Sequence, residues 1–135
     1  MDKLNTSLVL SESIMKRLRI SAIQTGASFD EVAEAFRNAV GGGAKLNILP
    51  ERLEKLSTLV ANAAKGFGLD KGQAGQETRA LFTGKIDKTA TIGTNLGFGP
   101  GGAFEKQYEE ALKKGGETFA KFLEDRLTQF KNAGA

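Results

Sequence analysis

Apolar residues recur at the period of an α-helix along most of this chain, and the alternation typical of β-strands is nearly absent. The longest regular stripe follows Pro50, where a proline is tolerated because a first-turn amide has no partner within its own helix. Shorter stripes come before and after it. We therefore expect an all-α protein, a compact bundle of five to seven short helices joined by glycine-rich turns.

The same stripes predict which residues form the core. They are Leu10, Ile14, Leu18 and Ala22; Phe29, Val32, Ala33, Phe36 and Val40; Leu49, Leu53, Leu56, Val60, Ala63, Ala64 and Phe67; Ala74, Thr78, Leu81 and Phe82; and Phe104, Tyr108, Leu112, Phe119, Phe122, Leu123, Leu127 and Phe130. A chain of 135 residues can bury one such core without disulfides. We expect a single helical domain over residues 1–135, with a hinge at residues 97–102, where glycine and proline cluster.

Capping residues mark the helix starts. Ser28 and Glu31 have the spacing of a capping box, in which the Ser28 hydroxyl accepts from the Glu31 amide and the Glu31 carboxylate accepts from the Ser28 amide. Asp70 is the candidate cap of a weaker helix that ends at Thr83, and Asp87 is the candidate cap of a short helix after it. Few long stripes hold residues 68–102, so we expect this region to open locally at little cost.

Glycines mark the helix ends, because glycine adopts the left-handed conformation that stops a helix. The predicted stops are Gly26, Gly41, Gly42, Gly43, Gly66, Gly68, Gly84 and Gly97. The pair Gly115 and Gly116 allows two alternatives, a break between two helices or a kink in one long helix.

Composition removes the commonest catalytic groups. The chain has no cysteine and no histidine, so it lacks disulfides, thiolate metal ligands and the usual general base. The carboxylates that invite a catalytic interpretation are expected at caps or on polar helix faces: Glu51, Glu54, Asp70, Glu77 and Asp87. We expect no enzyme, no cofactor and no metal. A histidine-free enzyme that uses a carboxylate or a lysine has no supporting set of residues.

Two glycine motifs resemble parts of phosphate-binding loops. Residues 97–102 contain a loose glycine repeat, but no strand precedes them and Pro100 removes an amide donor. Thr83, Gly84 and Lys85 lack both the upstream glycine and the following hydroxyl of a phosphate loop. A lysine beside a helix-terminating glycine is the better interpretation, because the helix dipole favours a cation there.

The net charge of +3 is too small to indicate nucleic-acid binding by itself. Lys16, Arg17 and Arg19 form the one tight basic cluster and are the candidate interaction face. A solvated helix surface is favoured over phosphate contacts, since no helix-turn-helix signature or set of stacking aromatics accompanies the cluster. A small helical nucleic-acid-binding or regulatory protein is the alternative hypothesis. No stretch is apolar enough to span a membrane.

Three segments carry a resemblance to a known family. They are residues 80–86 (ALFTGKI), residues 95–97 (NLG), and the apolar positions of residues 122–130. In this order they resemble a helical domain of the tail tape-measure proteins of long-tailed bacteriophages, over residues 10–134. The family pattern is a helix that ends in a leucine, a small residue and a glycine, followed by a basic residue, an isoleucine and a short helix. The glycine-rich residues 98–102 depart from it.

The resemblance implies a structural protein. Tape-measure proteins lie extended in the tail tube during assembly, set its length, and later help the genome to cross the host envelope. The implied partners are tail tube or tail assembly proteins and a second copy of the chain, with no small-molecule substrate and no nucleic acid. The implied location is the bacterial host cytoplasm during assembly, and then the virion tail. A fully helical chain of 135 residues spans only about 200 Å, so we expect an excised domain or a fragment of a longer protein.

Overall fold

The computed structural model describes residues 12–43, 45–70, 72–87 and 89–133, which form seven α-helices and no strand. The all-α prediction is confirmed. Leu10, the first residue of the predicted core, lies outside the described residues. The helices are α1 (Glu12–Thr25), α2 (Phe29–Gly43), α3 (Pro50–Gly66), α4 (Gln73–Thr83), α5 (Thr91–Asn95), α6 (Glu105–Lys114) and α7 (Gly116–Asn132).

The centre of the bundle consists of α2, α3 and α4. α2 packs most extensively against α4 and α3, α1 covers α2 and α3, and α7 packs along α3 with α6 beside it. α4 is enclosed, because Ala74, Thr78 and Leu81 are fully buried and Phe82 is nearly so. The short stripe of α4 is thus well buried, and easy local opening of residues 68–102 stays a prediction.

α2 ends at Gly43, the last of the three glycines predicted to stop it, and Gly41 and Gly42 lie within its last turn. A Cβ atom at Gly42 would lie 2.6 Å from Phe82 Cβ, and one at Gly43 would lie 2.6 Å from Leu53 Cδ2. The missing side chains let α2 approach α4 and α3 closely. The predicted helix end is thus confirmed at Gly43, and Gly42 and Gly43 also serve packing between helices.

The predicted helix starts at Ser28 and Pro50 are confirmed in part. The Glu31 amide donates to Ser28 Oγ at 3.1 Å, but the Glu31 carboxylate accepts from the Ser28 hydroxyl rather than from the Ser28 amide. Pro50 is the first residue of α3, as predicted. Leu49 precedes it at the N-cap and is 62% exposed, so its assignment to the core is wrong.

Asp70 does not cap α4, which begins after Gly72 without a side-chain capping bond. The Asp70 amide instead donates to Gln73 Oε1 at 2.7 Å. Asp87 does not cap α5 either, since its carboxylate accepts from the amide and the hydroxyl of Thr89 at 2.9 and 2.6 Å. Both bonds lower the pKa of Asp87, and the bond from the Thr89 hydroxyl has the larger effect. Both aspartates thus stabilise turns outside the helices.

The cap of α5 comes from another helix. Glu77 of α4 is 3% exposed, and its carboxylate accepts from the Thr91 amide at 3.1 Å and the Ile92 amide at 2.7 Å. The first amides of a helix have no partner within it, so these bonds satisfy donors that would otherwise be buried and unbonded. Of the two positions predicted for Glu77, a cap or a polar helix face, the structure shows a cap, and the hydrogen bonds to α5 compensate its buried carboxylate.

The predicted stop at Gly84 is confirmed. Gly84 has φ +81°, and its amide donates to the Ala80 carbonyl at 3.0 Å. Ile86 is then buried against Gly93, where a Cβ atom would lie 2.7 Å from Ile86 Cδ1. Residues 80–97 therefore form one connected joint of helix, turn and short helix, which we call the α4–α5 joint.

Residues 97–102 form a loop that closes on itself. The Phe104 amide donates to the Gly97 carbonyl at 2.8 Å, and the Gly101 amide donates to Glu105 Oε1 at 3.0 Å. Phe98 within this loop is fully buried and stacks on Tyr108, with ring centres 4.8 Å apart. These contacts anchor the loop, and hinge motion there stays a prediction.

Gly115 separates α6 from α7, which decides between the two alternatives in favour of a break. Its φ of +62° and ψ of −158° are outside the helical range, and the Gly116 amide donates to the Leu46 carbonyl at 2.5 Å. The corner between the last two helices is therefore fastened to the turn that follows α2. Tyr108 of α6 also reaches α4, because its hydroxyl donates to the Leu81 carbonyl at 2.5 Å, and burial raises its pKa.

Charged side chains connect α3 and α7. Arg52 contacts Glu117 at 2.9 Å and Glu124 at 2.5 Å, and Lys55 contacts Glu124 at 2.7 Å. The hydrogen bond from Lys55, followed by the positive charge of Arg52, lowers the pKa of Glu124. Glu124 is largely shielded, so this network is screened less than an isolated surface pair.

Two adjacent glycines of α2 should respond oppositely to the same substitution. Gly41→Ala should raise the free energy of unfolding by about 0.5 kcal/mol, since alanine favours the helix and a Cβ atom there meets nothing within 4 Å. Gly42→Ala should lower it by about 1–3 kcal/mol, because the Cβ atom collides with Phe82. Urea denaturation measures both. Equal effects would contradict the close approach of α2 and α4.

Loss of the Glu77 carboxylate should destabilise the fold strongly. Glu77→Ala leaves two buried amides without an acceptor and should cost about 2–4 kcal/mol, whereas Glu77→Gln keeps one acceptor and should cost roughly half. Chemical denaturation gives the values, and Glu110→Ala, at an exposed position of α6, is the control. A Glu77→Ala variant as stable as the control would show that the cap contributes nothing.

The α3–α7 network predicts an acid-dependent loss of stability. Because the folded pKa of Glu124 is below its unfolded value, its contribution is fully present above about pH 4.3 and lost as the pH falls through the folded value. Glu124→Gln should cost about 0.5–1 kcal/mol at neutral pH and progressively less below pH ~4. Denaturation curves across this range test it. Asp125→Asn, which alters an exposed pair 3.9 Å long, should show little change.

Candidate functional site

The predicted basic cluster lies on α1, and its three side chains are exposed but do not act together. Arg17 donates from Nε and Nη2 to the two carboxylate oxygens of Glu54, each at 2.8 Å, and this bonding raises the Arg17 pKa. The Arg19 guanidinium lies 4.8 Å from the centre of the Phe29 ring. Lys16 and Arg19 border a shallow depression that also contains Glu12. Arg17 is thus directed to α3 and Arg19 to α2.

An apolar strip accompanies the cluster on α1. Ile20 is 45% exposed and Ile23, one turn further on, is 80% exposed, while Leu18 and Ala22 on the opposite side are buried. Within the described part of the chain, Leu49 is the one further large apolar side chain with such exposure. Adjacent exposed isoleucines on a helix are typical of protein contact surfaces.

A second surface feature was not predicted from the sequence. Between α2 and α4, at the end of α6, lies a cleft of about 530 Å³ that we call the basic cleft. Its cationic side chains are Arg37, Lys45 and Arg79, and its lining contains no carboxylate. The other lining residues are Asn38, Gly41, Gly42, Leu46, Phe82, Thr83 and Leu112.

Hydrogen bonds hold one cation of the basic cleft in place. Asn38 Oδ1 accepts from Arg79 Nε at 3.3 Å and from Arg79 Nη2 at 3.0 Å, and Asn38 Nδ2 donates to the Glu34 carbonyl at 2.9 Å. The Asn38 amide thereby connects the α2 backbone to the guanidinium. This arrangement holds Arg79 at the cleft, and Nη1 of its guanidinium takes no part in the bonds to Asn38.

The residues that invite catalytic interpretations have structural partners. Glu77 binds backbone amides, Glu54 binds Arg17, and Asp87 binds Thr89. Lys85 is exposed just after the stop of α4. In the described ranges, no group of three or more acidic residues is placed to hold a metal ion.

None of the helices in the described part of the chain is both long and apolar enough to cross a bilayer.

No protein-family model, no curated protein and no solved structure matches the chain.

Sequence reasoning missed the basic cleft because its cations come from separate elements. Arg37 belongs to α2, Lys45 to the following turn and Arg79 to α4. No linear motif joins them. Only the close contact of α2 with α4 brings them to one opening.

Proposed function

We propose that this chain is a structural module of a phage or prophage tail tape-measure protein, which takes part in tail-length determination, assembly and genome delivery through contacts with other proteins. It acts in the host cytoplasm during assembly and then in the virion tail. Its partners are tail tube or tail assembly proteins and further copies of itself.

The observation that carries the proposal is the local structure of the α4–α5 joint. The residues behind the resemblance are used as the family pattern implies: Leu81 is buried near the helix end, Gly84 stops the helix, and Ile86 is buried. The short helix α5 follows and closes at Leu96, which is its C-cap. This local structure supports the proposal, because its helix end, glycine stop and short helix follow the order that the resemblance implies.

The surface supports a binding role rather than a catalytic one. Protein partners suit two features of the surface, the exposed Ile20 and Ile23 of α1 and the basic cleft. Glu77 and Tyr108, which could act in catalysis, instead form hydrogen bonds that hold the fold together. Nucleic-acid binding through Lys16, Arg17 and Arg19 is less favoured, because Arg17 is neutralised by Glu54 and Glu12 adjoins Lys16.

A duplication in the phage or prophage that encodes the chain tests the proposal. A second in-frame copy of the 135-residue sequence should lengthen the tail by about 200 Å, the length of the added residues as a continuous helix. Electron microscopy of purified tails measures it. Gly41→Ala, which leaves the chain length unchanged, is the control and should give tails of normal length.

Tails of unchanged length in the duplication strain would contradict the proposal. Gene order gives an independent test. Genes for tail tube, tail chaperone and baseplate proteins beside this one are expected, and an isolated operon would count against the assignment.

A further inference from the structure

We propose that the basic cleft binds an acidic segment of a partner protein, in which a carboxylate side chain stands next to an apolar one. This inference rests on the proposed function, since it names the chemistry of the partner that the module binds. The carboxylate is received by the cations on the wall, and the apolar neighbour lies on the floor.

The charges of the cleft favour an anionic occupant. Arg37, Lys45 and Arg79 line it, and none of its lining residues is acidic. The nearest carboxylate partner is Glu34, whose Oε1 is 3.8 Å from Arg37 Nη1 in an exposed pair that contributes little. No carboxylate of the described residues pairs with Lys45 or Arg79. An incoming carboxylate would supply a countercharge to Lys45 and Arg79, which lack one among the described residues.

The orientation of Arg79 suits a carboxylate in particular. A guanidinium presents its donors as a planar fork that matches the two oxygens of a carboxylate. Asn38 already binds Nε and Nη2 of Arg79, so less side-chain freedom remains to be lost when a ligand binds. The cleft is thus organised before its ligand arrives.

The shape of the cleft adds an apolar requirement. Leu46, Phe82 and Leu112 contribute apolar surface to it, and a Cβ atom at Gly41 would meet nothing within 4 Å. The mouth is therefore open at Gly41. The volume of about 530 Å³ lies within the usual range for ligand pockets, about 300–1,000 Å³.

A protein segment fits this cleft better than a nucleic acid does. Phosphate backbones are bound by cations spread along an extended surface, with little apolar contact. Here the cations surround a concavity with an apolar floor, which suits a side chain that carries both characters. A segment that alternates acidic and apolar residues offers a carboxylate to the cations and an apolar side chain to the apolar lining residues.

Binding of short fluorescein-labelled peptides, followed by fluorescence anisotropy, tests the inference. The probe alternates Glu with Leu, and the comparison peptide has Gln in place of every Glu. The Glu peptide should bind, and the Gln peptide should bind at least about tenfold more weakly, because each charged hydrogen bond contributes substantially. A single-stranded oligonucleotide of the same charge distinguishes phosphate from carboxylate recognition.

Four variants locate the site. Arg79→Ala should weaken binding of the Glu peptide about tenfold, and Lys45→Ala should weaken it by a smaller factor. Lys16→Ala removes the same charge from α1 and should leave binding unchanged. Gly41→Leu should abolish binding by filling the mouth, while helix propensity and the open space at Gly41 preserve the fold.

Three outcomes would overturn the inference. Equal losses from Lys45→Ala and Lys16→Ala would show a response to net charge alone. Undiminished binding by Gly41→Leu would place the peptide elsewhere, and tighter binding of the oligonucleotide would make the cleft a phosphate site. These results are independent of tail length, so failure of the cleft and failure of the tape-measure assignment are distinguishable.

Discussion

The close contact between α2 and α4 is the constraint on which the rest of the structure depends. Gly42 lies against Phe82, and Gly75 lies against Asn38, where a Cβ atom would approach Nδ2 to 2.7 Å. With the two helices this close, α4 is enclosed and becomes the support for α5 and α6. The same contact brings Arg79 beside Asn38 and thereby creates the basic cleft. Fold and candidate site thus share one geometric origin.

Polar groups in this core are satisfied by defined partners. The Ser57 hydroxyl donates to the Leu53 carbonyl at 2.6 Å, and the Thr78 hydroxyl donates to the Ala74 carbonyl at 2.8 Å. Tyr108 and Glu77 instead bond to the backbone of another helix. One exception among the described side chains is Arg52 Nε, which is buried without a partner although both terminal nitrogens bind glutamates. The Ser57 and Thr78 bonds thus stay within one helix, whereas those of Glu77 and Tyr108 help to fix the relative positions of helices.

Local signals were predictable from the sequence and tertiary ones were not. Pro50 and Gly84 act within their own turns, so backbone chemistry alone predicts their roles. The glycines at 41–43 carry the same local signal, and α2 ends at the last of them. Their local signal does not show that Gly42 packs against Phe82 and Gly43 against Leu53. Glu77 resembles a surface carboxylate in sequence, since its acceptor role depends on amides 14 and 15 residues away. The basic cleft could not be predicted either, because its cations are also far apart in the sequence.

The cap that Glu77 supplies has a consequence for the order of assembly. α5 has only five residues, too few to overcome the cost of nucleating a helix in isolation. Its first amides find their acceptor on α4, so α5 becomes helical only where α4 is already folded and in place. Unwinding the middle of α4 removes the cap, and the short helix then unravels with it. α4 and residues 84–97 therefore open and close as one cooperative unit, with no stable stage at which α5 stands alone.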